Sequence, residues 1–123
     1  MIKKFDDNPS NASRAVQIWQ ILISKAHNRQ TITYGILADL LGFERAGVFA
    51  YKLGHIMHFC TQNNLPHLTI LVVNEKTGKP GDGFTEIVED LNVEREKVFK
   101  HNWYGLYPPS EKQFDEAWQK AKN

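Results

Sequence analysis

At 123 residues, 41% of them hydrophobic and 24% charged, the chain is long enough to bury a core without staples and is expected to form a single globular domain. Its lone cysteine, Cys60, excludes an internal disulfide and points to a reducing, cytoplasmic setting. No apolar run approaches membrane-spanning length, so no membrane partner is expected, and the opening MIKKFDDNPSNAS lacks the apolar stretch of a signal peptide. The net charge of +1 hides an asymmetry. Residues 1–81 carry nine Lys/Arg against five Asp/Glu, whereas residues 82–123 carry six against nine. A basic front and an acidic tail are compatible with one side facing nucleic acid and a solvated back.

Residues 1–10 are polar and read as a frayed end. Over 13–27 the apolar positions Val16, Trp19, Leu22, Ile23 and Ala26 recur at helical spacing. Thr33 is placed to cap a short helix over 34–41, its hydroxyl accepting from a first-turn amide, and Gly42 follows as the residue able to end that helix in the left-handed conformation. A longer helix is expected over 45–63. Phe49, Leu53, Ile56, Met57 and Cys60 form its apolar stripe, and Arg45, Lys52, His55, Phe59 and Gln62 cluster on a neighbouring flank. Two helices joined by a Gly-containing turn match helix-turn-helix spacing.

The run Leu68-Thr69-Ile70-Leu71-Val72-Val73 is rich in β-branched residues and reads as a buried strand. The turn-rich loop over 75–83, with three glycines, would then form a wing. A weaker helical pattern runs over 92–101, and Trp103-Tyr104-Gly105-Leu106-Tyr107-Pro108-Pro109 is an aromatic connector. Ser110 with Gln113 forms a capping-box pattern before a last helix whose apolar face is Phe114, Ala117 and Trp118. The expected class is mainly α (α+β): a winged helix-turn-helix core over about 12–84 with a small sheet, then a helical C-terminal extension over about 85–123.

Two of these stretches resemble a known family. Thr33-Tyr34-Gly35-Ile36-Leu37-Ala38 with Leu41-Gly42, and Val72-Val73-Asn74 followed by Gly78-Lys79 and further glycines, resemble the helix-turn-helix and wing of alkylguanine–DNA alkyltransferases and alkyltransferase-like proteins. The likeness covers roughly 32–84, in the family's order. It implies a DNA-binding winged helix. The family's chemistry depends on a P-C-H-R motif directly before V-V-N, and here that place is taken by Leu68-Thr69-Ile70-Leu71. A threonine hydroxyl without an activating base does not replace the thiolate, so alkyl transfer is excluded and no catalytic residue is expected.

The resemblance implies that Thr33 and Tyr34 meet the phosphate backbone at the start of the short helix; capping and packing are the alternative. Arg45, Lys52, His55 and Phe59 would lie in or beside a groove of double-stranded DNA, and Lys76 and Lys79 at the wing tip would reach flanking phosphates. A solvated face and an ordinary polar turn are the alternatives. His55, His58, Cys60 and His67 lack zinc spacing, so no metal and no cofactor are expected. A protein adaptor or inhibitor on the same fold is the second reading, with the C-terminal region as a contact for a protein partner or a homodimer. A hydrolase or nuclease centred on Asp82, with Glu75 and Glu86, ranks third.

Overall fold

The computed structural model describes residues 1–5, 10–43, 49–81, 84, 86 and 88–123. Helix α1 (Asn11–His27) begins two residues before its apolar pattern, because the Ser10 hydroxyl accepts from the Ser13 amide and caps it. Its inner face buries Ala15, Ile18, Trp19, Leu22 and Ala26. Helix α2 (Tyr34–Leu41) starts and stops where the sequence places it: the Thr33 hydroxyl accepts from the Ile36 amide at 3.1 Å, and Gly42 sits at φ 74°.

Helix α3 is described over Ala50–Gln62, its expected apolar stripe from Phe49 to Cys60 wholly buried. Arg45 and the rest of the expected first turn lie outside the described residues. Helix α4 is Leu91–Lys100, capped by Asp90, and α5 is Glu111–Lys122, opened by the capping box of Ser110 and Gln113.

The expected six-residue strand is mostly something else. Residues Leu68–Leu71 form a buried 3-10 turn, and only Val72–Val73 is strand (β2), pairing in parallel with Ile32–Thr33 (β1) in the register Ile32↔Val72 and Thr33↔Val73. The reason is the partner. The chain at Thr33 must turn into α2, so β1 offers only two residues of edge, and a longer β2 would leave its amides without a ladder. A continuous apolar run suits any buried backbone and does not by itself specify a strand. The fold is thus mainly helical with a two-stranded parallel sheet. Among the described residues no helix is long and apolar enough to cross a membrane.

The core is organised around Trp19 of α1. Its ring meets Phe59 of α3 edge-on at 5.8 Å, Trp103 of the connector at 5.6 Å and Phe114 of α5 at 5.9 Å. Trp103 is fixed in turn by its indole N–H, which donates to the Val98 carbonyl at 2.8 Å. The C-terminal helix is therefore part of the core, packed on both α1 and α3.

The α3–α5 seam closes on Trp118. Its ring stacks on His55, edges onto Tyr51 and lies so close to Gly54 that a Cβ there would stand 2.8 Å from Cζ3. Gly54→Ala is expected to cost about 1–3 kcal/mol through overpacking, less about 1 kcal/mol regained in helix propensity. In a Trp118→Ala background the clash disappears, and the same change becomes stabilising by about 0.5–1 kcal/mol. Urea unfolding of the four proteins measures the coupling; an equal loss in both backgrounds would exclude Trp118 as its cause.

Candidate nucleic-acid interface

Three chain segments meet at Tyr34, the first residue of α2. Its hydroxyl accepts from the Gly81 amide at 3.0 Å, and its ring lies 6.5 Å from that of Phe49, which precedes α3. Thr33, one residue earlier, pairs in the sheet with Val73, where the loop departs. The starts of α2 and α3 and both feet of the loop are thereby held in one place.

The loop itself is a tight turn. The Asn74 amide donates to the Lys79 carbonyl, the Gly78 amide returns a bond to the Asn74 carbonyl, both at 2.8 Å, and Val73 bridges Pro80 in antiparallel sense. The Asn74 side chain accepts from the Lys76 amide and the Thr77 hydroxyl from the Lys79 amide. Arg95 of α4 donates to the Gly78 carbonyl and braces the tip from behind. Lys76 and Lys79 are exposed on this framework. Asp82 lies outside the described residues, Glu75 is exposed, and Glu86 accepts from the Thr61 hydroxyl across on α3.

The flank of α3 is arranged differently from an open groove-reading face. His55 is only 4% exposed, stacked parallel to Trp118 at 4.6 Å, with its Nδ1 donating to the Tyr51 carbonyl. Phe59 is half-buried between Trp19 and Phe114, and Gln62 donates to the Ala117 carbonyl. Helix α5 covers these three side chains. Lys52 stays half-exposed beside the end of α1, donating to Asn11 Oδ1 at 3.2 Å with its ammonium 5.2 Å from the Phe43 ring centroid. At the leading end of α3, Tyr51 is 62% exposed.

Of the eight residues the sequence singles out, the structure gathers Thr33 and Tyr34 with the base of the Lys76–Lys79 turn, keeps Lys52 at the α1–α3 junction, and puts His55 and Phe59 beneath α5. The eighth, Arg45, lies outside the described residues. Sequence reasoning missed Tyr51, Trp118 as the cover of α3, and Arg14. The signal for Arg14 was present: it stands four residues before Ile18, on the edge of the apolar stripe of α1. It is buried, its guanidinium 4.8 Å from the Phe43 ring centroid and 5.2 Å from that of Phe5.

Burial disfavours the charged forms of Cys60 and His55. Burial pushes the Cys60 thiol up to about 12, far from a reactive thiolate. Thr69, where the family resemblance puts a nucleophile, is buried with its hydroxyl hydrogen-bonded to no group among the described residues. Among the described residues no group of three or more His, Cys, Asp or Glu is arranged to hold a metal ion.

Burial also lowers the pKa of His55, with His58 and Lys122 adding to the effect; the Tyr51 carbonyl and Asp115 oppose it. The folded-state value therefore lies below the 6.5 of the unfolded chain. Below that pH the unfolded state takes the proton first, so stability is complete above pH 6.5 and falls on acidification toward the folded value. His55→Phe should flatten that decline in chemical unfolding at a series of pH values, and an unchanged slope would remove His55 as its source. Cys60 should stay inert to a chromogenic disulfide reagent at neutral pH and react fully in denaturant; rapid modification of the native chain would contradict its burial. No family model, curated protein or solved structure matches the chain.

Proposed function

We propose that the chain is a non-catalytic DNA-binding protein on a winged helix-turn-helix of alkyltransferase-like type. In this reading α2 and α3 are the helix-turn-helix, and the turn between Val73 and Pro80 is the wing. The observation that carries it is the convergence on Tyr34, which ties the start of α2, the start of α3 and the return of the basic loop together. Helix-turn-helix proteins meet base edges with the leading end of the second helix. Tyr51 stands in the first described turn of α3, 62% exposed with its ring edged onto Trp118 of α5.

Thr33 and Tyr34 then present the first amides of α2 to a phosphate, and Lys76 and Lys79 reach the backbone beside the groove. Lys52 stands beside the start of α3, at its junction with α1. His55 and Phe59 support α3 from behind through α5 and touch no DNA. The second reading, a protein adaptor, draws on a different feature: Ile36 and Leu40, one turn apart on α2, are 54% and 60% exposed.

Fluorescence anisotropy with a labelled duplex of about 20 base pairs, over a salt series, tests the DNA reading. Binding should weaken with salt, and Lys76→Ala and Lys79→Ala should each flatten the slope by about one unit. Tyr51→Ala should weaken binding with the slope unchanged, because it removes no charge. A folded protein that binds no duplex at low salt would reject this reading in favour of the adaptor.

A further inference from the structure

The first turn of α1 concentrates positive charge in an unusual way. A helix N-terminus carries a partial positive charge and favours acidic side chains, yet this one has no acidic residue in its first turn. It holds Arg14 instead, 8% exposed, and receives the Lys52 ammonium at Asn11 Oδ1. Both cations lie over the same ring, Phe43, and the Arg14 charge adds to the burial that lowers the pKa of Lys52.

Among the described residues the guanidinium meets only a neutral acceptor: Nη1 donates to Gln17 Oε1 at 3.0 Å, and the buried Nε has no hydrogen-bond partner among them. Among the described residues no carboxylate forms an ion pair with Arg14. Glu111, which reaches this end of α1, lies 3.1 Å from the Ser10 hydroxyl, at the cap itself. Burying a guanidinium without a counter-charge is costly, and a methionine of similar volume would fill the space at lower cost.

We infer that Arg14 and Lys52, with the first turn of α1, form a binding site for a phosphate oxyanion. The guanidinium fork matches two phosphate oxygens, and its sandwich between Phe5 and Phe43 fixes its orientation before the anion arrives. Phe43 follows the Gly42 cap of α2 and packs 5.4 Å from Phe49 at the head of α3. The site therefore adjoins the leading end of α3. Assigning the phosphate to a DNA backbone rests on the DNA-binding reading above; the oxyanion site itself does not.

The test measures thermal unfolding of the full chain in millimolar inorganic phosphate against chloride at matched ionic strength, for wild type, Arg14→Met and Arg14→Lys. General salting effects of phosphate act on all three proteins, so the difference between them reports the site. The wild-type Tm should rise with phosphate, the Arg14→Met rise should vanish and the Arg14→Lys rise should shrink. No wild-type rise, or an equal rise in Arg14→Met, overturns the site. Should Arg14→Met fail to fold, a rise fully retained in Arg14→Lys overturns it. The duplex titration separates the sources: a salt slope flattened by about one unit in Arg14→Met, and kept in Arg14→Lys, assigns the phosphate to DNA. An unchanged slope with the phosphate response intact overturns that assignment and leaves free phosphate as the ligand. A phosphate response without any duplex binding upholds the site and rejects the DNA-binding reading.

Discussion

The fold hangs on Trp19. One indole in the middle of α1 touches aromatic rings from α3, from the connector after α4 and from α5, so segments far apart in sequence share a single point of closure. Edge-to-face pairs of this kind add to the area that the rings bury, and they also specify geometry. Trp103 holds its place in the cluster through the Val98 carbonyl, which ties the end of α4 to the same point. With Phe114 fully buried, α5 is committed to this cluster and cannot be treated as an appendage.

That commitment decides what α3 can present. A helix in contact with α1 and the 3-10 turn on one side and α5 on another has little surface left. The Gly54–Trp118 contact brings α3 and α5 close enough that His55 is buried and the half-buried Phe59 and Gln62 take partners on α5. A histidine so placed is held neutral by its surroundings, and its protonation opposes folding. Tyr51 stays exposed near the leading end, beside Phe43 and Phe49, where the start of α2 and the basic turn are also pinned.

Charge follows the same division. The modest net charge conceals how unevenly the cations are placed. Arg14 and Lys52 share one aromatic ring at the α1–α3 junction, and Lys76 and Lys79 stand on a braced turn. The acidic residues of the C-terminal part are used differently: Glu96 pairs with Arg29, Glu94 with Lys97, and Asp90 caps α4. These are exposed or helix-terminal interactions, each of small energetic weight.

By itself the sequence determined the local features whose physics spans only a few residues. The Thr33 cap, the left-handed Gly42, the capping box at Ser110 and the apolar stripe of α3 depend on near neighbours, and all were legible. Tertiary structure decided the rest. Whether Leu68–Leu71 would be strand depended on the length of its partner, which Thr33 cuts short by turning into α2. Whether His55 would face solvent depended on Trp118, more than fifty residues away, finding Gly54, and for Phe59 it depended on Trp19 and Phe114. Whether Arg14 would be a surface cation or a buried one depended on Phe5 and Phe43 closing over it. Periodicity shows that a helix has two usable flanks; only the packing of distant elements determines which of them is covered.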